Sequence, residues 1–331
     1  MQKSQIFIII FYFLLSISVN IYGIKADDTT YVSDVEEIMP VFEDNLDSML
    51  NLYYIQQVGT TIDFVNDLTA EDSLLTNIPD SVFIERLSRI HSKIKLTYNK
   101  VVRRYIEMYT QRKKERLQVM LGLADFYFPI FDDIFDYYGL PNELKYMSII
   151  ESALNPRARS RTRAVGIWQF MYGTGKLYGL EINGLVDERR DPIKETHAAA
   201  QFSKDLYEIF GDWQLVIAAY NCGPGNVSRA IRRAGGKRDF WDIYPYLPRE
   251  TRGHVPAFIA AVYIFNYYKE HNLIPIKSAF PPKIDTIMVH EDLHFAQIAE
   301  VLNIPIELIR DLNPQYIHDI IPAKGTSYPL T

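Results

Sequence analysis

Cysteine is nearly absent from this chain, and its histidines are few and scattered. Cys222 is the single cysteine among 331 residues, so no internal disulfide can form and no cysteine near the start of the chain is available for lipid attachment. The seven histidines do not cluster at ligand spacing, so we expect no metal ion and no other cofactor. The formal net charge of -6 and the pI near 5.7 exclude a general attraction to nucleic acid.

An unbroken apolar run lies at the N-terminus. Lys3 is followed by an unbroken apolar run at residues 6–15, and small residues between Gly23 and Ala26 offer a cleavage site. This pattern predicts a signal peptide over residues 1–25 and therefore an exported protein. The alternative is an uncleaved membrane anchor, because residues 6–24 are almost long enough to span a bilayer. Polar residues within that stretch favour the cleaved signal: Ser16, Ser18 and Asn20.

Sustained alternation of apolar and polar residues is missing as well, so the chain is predicted to be mainly α. Residues 26–124 are predicted to form an N-terminal region that is partly helical and partly irregular, and residues 27–75 within it are acidic. Residues 125–272 carry helical patterns separated by turns that contain glycine, which indicates a helical domain. Prolines mark a linker at residues 273–283. The pattern then predicts a small strand-helix-helix-strand module at residues 284–331, of a size more typical of a binding appendage than of a catalytic domain.

Glu151 is the most informative residue that is present. Pro141 and the pair at 155–156 bound a predicted helix, on which Glu151 shares an apolar stripe with Met147 and Leu154. An ionised carboxylate is costly in such surroundings, so we expect the pKa of Glu151 to rise and the side chain to act as a general acid. The alternative is a glutamate at the edge of the stripe that pairs with an arginine.

Four segments can be compared with a known family. They are Glu151-Ser152-Ala153-Leu154-Asn155-Pro156, Gly166-Ile167-Trp168-Gln169-Phe170-Met171, Ala219-Tyr220-Asn221-Cys222-Gly223-Pro224-Gly225 and Leu247-Pro248-Arg249-Glu250-Thr251. The order of these segments resembles that of the motifs in the catalytic domain of soluble lytic transglycosylases. Their spacing is most similar to that in the membrane-bound lytic transglycosylases of type D. The module at residues 284–331 resembles a LysM peptidoglycan-binding module.

The resemblance implies a lysozyme-like helical fold that cleaves the β-1,4 bond between N-acetylmuramic acid and N-acetylglucosamine. A glycosidase normally uses two carboxyl groups, but Glu143 is about 12 Å from Glu151 along a helix axis, which is too far for that pairing. The mechanism of the resembling family needs a single carboxyl group. Glu151 would act as acid and then as base while the muramyl 6-hydroxyl closes a 1,6-anhydro ring. A hydrolytic muramidase and a non-catalytic peptidoglycan-binding protein remain alternatives.

The resemblance also implies roles for further residues and a location. Residues that bind the glycan or orient the acid would be Ser160, Gln169, Tyr220 and Asn221, with Met171 lining the groove and Glu250 near the peptide side of the substrate. The ordinary alternative is that Trp168, Phe170 and Met171 are core residues. The expected partner is the peptidoglycan glycan strand, and the expected location is the periplasm, in association with the membrane or the cell wall. The chain is expected to act as a monomer.

The chain departs from the family pattern at specific positions. Arg163 stands where the family usually has glycine, and His254 stands where a tyrosine commonly follows the Glu-Thr segment, so a contact to substrate or to Glu151 could change. In the module, residues 291–293 replace the usual Gly-Asp-Thr-Leu turn. Alternating arginines follow Glu151, and we hypothesise that they bind the carboxylates of stem peptides: Arg157, Arg159, Arg161 and Arg163.

Overall fold

The computed structural model describes residues 28–49 and 78–331. The predicted signal at residues 1–25 and the stretch 50–77 lie outside the described residues. The described part is mainly helical, as predicted, and the strands that it contains lie between residues 287 and 330. None of the helices in these two ranges is both long and apolar enough to cross a bilayer.

The helices are numbered here in chain order within the described residues. They are α1 Asp28–Met49, α2 Asp80–Arg89, α3 Lys100–Glu107, α4 Lys114–Tyr138, α5 Met147–Ser152, α6 Tyr172–Leu177, α7 Pro192–Phe210, α8 Trp213–Cys222, α9 Pro224–Arg233, α10 Phe240–Ile243, α11 Arg249–Arg252, α12 His254–Tyr267, α13 Phe295–Leu302 and α14 Ile306–Leu312. Shorter 3-10 turns occupy Asn142–Tyr146, Glu188–Arg190, Tyr244–Tyr246 and Lys269–His271, and a π-helical turn at Met108–Arg112 joins α3 to α4.

Capping side chains define the helices that carry the site. The Asp191 carboxylate accepts hydrogen bonds from two backbone N–H groups in the first turn of α7, which opens with Pro192. That helix ends at Gly211, whose φ of 64° lies in the left-handed region. Asp212 then caps α8 by accepting a hydrogen bond from the Leu215 N–H. The turn between α7 and α8 is therefore fixed by local sequence.

One apolar core joins the helices of the N-terminal region to the rest of the helical domain. α12 is buried over its first eleven residues and packs against α3, α5 and α8. The predicted boundary between residues 124 and 125 lies within α4, because Ala124 and Phe131 on that helix are buried in the same core cluster. The helices before residue 125 thus help to build the scaffold behind the site.

The segment that carries Glu151 differs from the single helix that the sequence predicts. Residues 142–146 form a 3-10 turn, and α5 begins only at Met147. α5 ends at Ser152 because Ala153 and Leu154 adopt left-handed conformations, with φ of 54° and 64°. The Leu154 N–H donates to the Ser148 carbonyl and closes the end of the helix. The chain therefore turns away immediately after Glu151.

The C-terminal module has the predicted strand-helix-helix-strand order. Its outer strands, β1 Ile287–Val289 and β4 Tyr328–Leu330, pair antiparallel with Val289 opposite Tyr328. A second antiparallel pair, β2 Leu293–His294 with β3 Ile320–Ile321, was not predicted. Between the strands, α13 and α14 enclose a small core of buried apolar side chains.

The module is docked on a segment of the helical domain. Val186 of that domain is fully buried in the core of the module and forms an antiparallel bridge with Tyr316. Backbone hydrogen bonds flank this bridge on both sides, from the Asp187 N–H to the Gln315 carbonyl and from the Ile317 N–H to the Leu185 carbonyl. The two units therefore share a strand-like contact as well as apolar packing.

Candidate active site

The Glu151 side chain is nearly buried and is held by one hydrogen bond. It is 11% exposed, and Leu144, Met147 and Leu154 beside it in the sequence are fully buried, so the predicted position of Glu151 on an apolar face is confirmed. Its Oε1 lies 2.8 Å from Nε2 of His254, whose side chain is 8% exposed. Within the described residues Oε2 makes no hydrogen bond and remains available to a ligand.

A tight turn at residues 166–170 packs beside Glu151. The Ser152 hydroxyl donates to the Ile167 carbonyl at 2.8 Å, so the end of α5 is tied directly to this turn. Val165 and Phe170 close the turn by exchanging two backbone hydrogen bonds. Trp168 and Phe170 are buried, as the ordinary core interpretation predicts.

A fully buried carboxylate, Glu195, supports the same turn from α7. Its two oxygens accept hydrogen bonds from the backbone N–H groups of Ile167 and Trp168, at 2.8 and 3.0 Å. Burial raises the pKa of Glu195 well above its usual range, while these backbone hydrogen bonds oppose the shift. Because both oxygens are occupied and the residue is 0% exposed, Glu195 has a structural role.

Tyr220 at the end of α8 connects the turn to the third motif. Its hydroxyl donates to the Trp168 carbonyl at 2.9 Å, while the indole N–H of Trp168 donates to the hydroxyl of Thr196. Burial, followed by the nearby carboxyl groups of Glu151 and Glu195, raises the pKa of the Tyr220 hydroxyl. Tyr220 therefore lies within the electrostatic reach of Glu151 and stays neutral.

Asn221 joins the third motif to the fourth. Its Oδ1 accepts a hydrogen bond from the Thr251 hydroxyl at 2.8 Å, and Thr251 is 1% exposed. Thr251 lies on α11, three residues before His254, so this bond ties the end of α8 to the segment that contacts Glu151. The remainder of Asn221 is exposed and can reach a ligand.

Gln169 and Ser160 organise the loop after Glu151. The Gln169 amide donates to the Gly166 and Ala158 carbonyls, and its Oε1 is buried without a partner in the described part of the chain. An unpaired buried oxygen is costly, and a bound water or a ligand can donate the missing hydrogen bond. Ser160 instead accepts from the Ala164 N–H and bonds Thr162, so its hydroxyl stabilises the loop.

Met171 and Glu250 lie at the surface near these elements. Met171 is 46% exposed directly after the turn at residues 166–170, so the core interpretation does not apply to it. Glu250 is exposed on α11, one residue before Thr251. The structure thus links Glu151, Gln169, Tyr220 and Asn221 through a continuous set of contacts, while Ser160, Met171 and Glu250 lie around it.

The arginines after Glu151 do not act as one group. Arg157 pairs with Asp311 of the module at 2.7 Å and also donates to the Arg310 carbonyl, so it joins the two units rather than facing solvent. The guanidinium of Arg157 is thus already engaged with the module, and its binding to stem peptides stays a prediction. Arg159, Arg161 and Arg163 are exposed.

Arg163 occupies a backbone conformation that favours glycine. Its φ is 69°, within a turn in which its N–H donates to the Ser160 carbonyl at 2.9 Å. This conformation gives a physical reason for the glycine that the resembling family usually has at this position. A left-handed conformation costs a residue with a Cβ about 1–2 kcal/mol.

Replacing Arg163 with glycine is expected to stabilise the protein. Relief of the left-handed strain outweighs the added flexibility of glycine in the unfolded chain, for a net gain of about 0.5–1 kcal/mol. Urea denaturation measures the change. Arg161→Gly is the matched control, since Arg161 is also exposed in the same turn but has no positive φ. This variant should lose about 0.5–1 kcal/mol of stability. Equal effects of the two variants would contradict the prediction.

The sequence interpretation missed Glu195 and Thr251. Glu195 carries a signal like that of Glu151, because it shares a face of α7 with Ala199, Leu206 and other buried residues. A search for acidic residues on apolar helical stripes would have found both glutamates, but their roles differ only through their partners in space. Thr251 was part of a recognised motif without a role of its own.

Comparison with known families assigns two parts of the chain. Residues 130–243 match the model described as Transglycosylase SLT domain. This range contains the first three of the four motifs, and Glu151 lies in the first of them. Residues 283–331 match the model described as Lytic transglycosylase MltD, LysM-like domain. The chain therefore carries a lytic transglycosylase domain followed by a LysM-like domain, and both predicted resemblances are confirmed.

Individual relatives agree with this assignment. The chain is homologous to membrane-bound lytic murein transglycosylase D of Escherichia coli K12, with 33% identity over 194 residues that cover 57% of this chain and 42% of the relative. It is 29% identical over 153 residues to the soluble lytic murein transglycosylase of the same strain, covering 43% of this chain and 24% of that protein. The chain thus spans less than half of the length of these relatives.

A solved structure shows a limited overall likeness. The 70-kDa soluble lytic transglycosylase from Escherichia coli aligns with 69% of this chain and with 47% of its own chain. The sequence identity of that alignment is 19%, and the TM-score is 0.38.

Proposed function

We propose that this protein is a peptidoglycan lytic transglycosylase that cleaves the bond between N-acetylmuramic acid and N-acetylglucosamine. The observation that carries the proposal is the nearly buried carboxyl group of Glu151 inside a transglycosylase domain, with one oxygen held by His254 and the other unbonded within the described residues. A carboxyl group in such surroundings is suited to donate a proton and to take it back.

Two other carboxylates near this segment are engaged in different ways. Glu195 is fully buried, and both of its oxygens accept backbone hydrogen bonds. Glu143 lies on the 3-10 turn before α5, where its Oε1 accepts a hydrogen bond from the Lys93 N–H. Glu195 therefore has no oxygen left to act as a nucleophile or base. Glu143 comes eight residues before Glu151, about 12 Å along a helix axis, which is too far for the pairing that a two-carboxylate hydrolase requires. This favours a mechanism in which the substrate supplies the nucleophile.

In that mechanism Glu151 acts twice on the same muramyl residue. Its proton passes to the glycosidic oxygen while the bond from that oxygen to C1 breaks. The resulting carboxylate then takes the proton of the muramyl 6-hydroxyl, and O6 forms a bond to C1 that closes the 1,6-anhydro ring. Glu151 ends in its starting protonation state and no water is consumed, so one side chain serves as acid and base.

The surrounding residues supply contacts for the glycan. The unpaired Oε1 of Gln169 can accept a hydrogen bond from a sugar hydroxyl or amide, and the side-chain NH2 of Asn221 can donate one to a sugar oxygen. The exposed Met171 offers an apolar surface to a sugar ring, and we assign Ser160 and Glu250 to the rim of the groove. The neutral Tyr220 positions the turn that carries Gln169 through its bond to the Trp168 carbonyl.

The LysM-like module and the location complete the proposal. We assign the module to binding of the same glycan strands, and we propose that the protein is exported and works in the periplasm as a monomer, in association with the membrane or the wall. The related Escherichia coli protein is named membrane-bound.

Product analysis tests the proposed reaction. Purified sacculi digested with the full protein should release fragments that end in 1,6-anhydro-N-acetylmuramic acid, which are lighter by one water than the products of hydrolysis. Mass spectrometry of the released fragments distinguishes the two. Reducing muramyl ends in place of anhydro ends would identify a hydrolytic muramidase, and intact sacculi would indicate a protein that only binds the wall.

A further inference from the structure

His254 is the side chain that holds one oxygen of the Glu151 carboxyl group. Its Nε2 lies 2.8 Å from Oε1, and the two side chains are 8% and 11% exposed. A hydrogen bond that is shielded from water in this way orients its partners more strongly than a bond at the surface does. The orientation of Glu151 therefore depends on where the imidazole lies.

The backbone places the imidazole through tightly packed neighbours. His254 opens α12, which is buried over its first eleven residues and packs against α5, the helix that carries Glu151. Gly253, the preceding residue, lies so close to α3 that an added Cβ would be 2.2 Å from the Tyr105 hydroxyl. The position of His254 is therefore fixed by the packing of Gly253 against α3 and by the packing of α12 against α5.

The other polar groups of the site are occupied elsewhere. The Tyr220 hydroxyl donates to the Trp168 carbonyl, and the Thr251 hydroxyl donates to Asn221. In the part of the chain that the structure describes, the hydrogen bond from His254 is the one that reaches Glu151. Loss of the imidazole would leave the carboxyl group without a side chain to orient it.

We propose that His254 is a positioning residue for the transglycosylase reaction, whose Nε2–H donates to Oε1 of Glu151 and leaves Oε2 to carry the transferred proton. The inference rests on the proposed function, since it assigns His254 a task relative to Glu151 as the acid.

One hydrogen bond of this kind serves both halves of the reaction. Oε1 can accept from Nε2–H when Glu151 is a neutral acid and also when it is a carboxylate, because both forms keep an acceptor lone pair on that oxygen. The proton of the acid is therefore confined to Oε2, the oxygen that is open to the glycan. The same oxygen is in place to receive the proton of the muramyl 6-hydroxyl afterwards. No reorientation of the carboxyl group is needed between the two steps.

Substitutions that remove or restore the donor test the inference. His254→Phe keeps a ring without a donor, and His254→Asn keeps an amide that is too short to reach Oε1. We expect both to lower kcat by about 10- to 100-fold on a soluble glycan oligomer of alternating N-acetylglucosamine and N-acetylmuramic acid, with KM changed by less than about twofold. His254→Gln carries an N–H at a reach similar to that of Nε2, so it should recover kcat to within about fivefold of the wild type.

A second buried histidine provides the matched control. His271 lies just beyond the far end of α12, is 4% exposed and bonds the Tyr263 hydroxyl, so His271→Phe removes a similar side chain away from Glu151. This control should retain the kcat of the wild type. Urea denaturation of each variant separates loss of folding from loss of positioning, and His254→Asn carries the test if His254→Phe does not fold.

Several outcomes would overturn the inference. Wild-type kcat in folded His254→Phe or His254→Asn would show that the hydrogen bond has no role in turnover. An equal loss in His254→Gln would indicate that the ring acts only by packing, and a change in KM alone would indicate a contact with substrate. Glu151→Gln assayed in parallel separates the two proposals: if it remains active, the proposed function fails, whereas if it alone is inactive, only the role of His254 fails.

Discussion

Replacement of Glu151 with glutamine is expected to reduce turnover of peptidoglycan by at least about two orders of magnitude. The amide keeps the size of the side chain and can still accept the hydrogen bond from His254, but it has no acidic proton to donate and no carboxylate to take one back. The rate of release of anhydro-muramyl fragments from sacculi measures the loss. Because the substitution nearly conserves volume, the folded structure should be retained.

Glu143→Gln is the matched control for this substitution. Glu143 lies on the 3-10 turn that leads into α5, and its carboxylate accepts a backbone hydrogen bond from Lys93. It should therefore keep the turnover of the wild type. Turnover of Glu151→Gln within about tenfold of the wild type, in a variant with an unchanged denaturation midpoint, would contradict the assignment of Glu151 as the acid.

Replacement of Gly166 with alanine is expected to destabilise the protein by at least about 3 kcal/mol. An added Cβ would lie 1.7 Å from the Arg189 carbonyl oxygen and 2.2 Å from Oε1 of Glu195, and the φ of 100° is itself strained for any residue other than glycine. Relief of the clash would push the turn at residues 166–170 away from the carboxylate that holds it. Chemical denaturation measures the loss of stability.

Gly139→Ala separates the clash from the backbone strain. Gly139 also has a positive φ, 69°, but an added Cβ there meets no atom within 4 Å. This variant should lose only about 1–2 kcal/mol. Similar destabilisation of the two variants would show that the contact with Arg189 and Glu195 adds nothing beyond the strain of a left-handed backbone.

The sequence was sufficient to predict the mainly helical chain, the two helices and outer strands of the module, and the burial of Glu151. Each of these follows from local spacing: the apolar stripe around Glu151, the turns that contain glycine, and the prolines near residue 281. Motif resemblance added the candidate residues around the glutamate. The backbone conformation of the segment after Glu151 could not be predicted. Ala153 and Leu154 adopt left-handed conformations that their residue types do not indicate.

The contacts between distant parts of the chain could not be predicted from local patterns. Two hydrogen bonds from the turn at residues 166–170 to Glu195 join residues that are 28 and 27 positions apart in the sequence. The ion pair between Arg157 and Asp311 joins residues 154 positions apart. Local periodicity shows that an acidic residue lies on an apolar face but does not identify its partner. The difference between the catalytic role proposed for Glu151 and the structural role of Glu195 therefore emerges only in three dimensions.

The docking of the module on Val186 has a consequence for product length. Because the bridge from Val186 to Tyr316 and the pair between Arg157 and Asp311 set the module against the loop after Glu151, the structure holds the module and the acid at one separation. A glycan strand engaged by both units at once would be cut at a set number of sugars from its anchored point. Under the proposed function, fragments of narrow size range are the expected products.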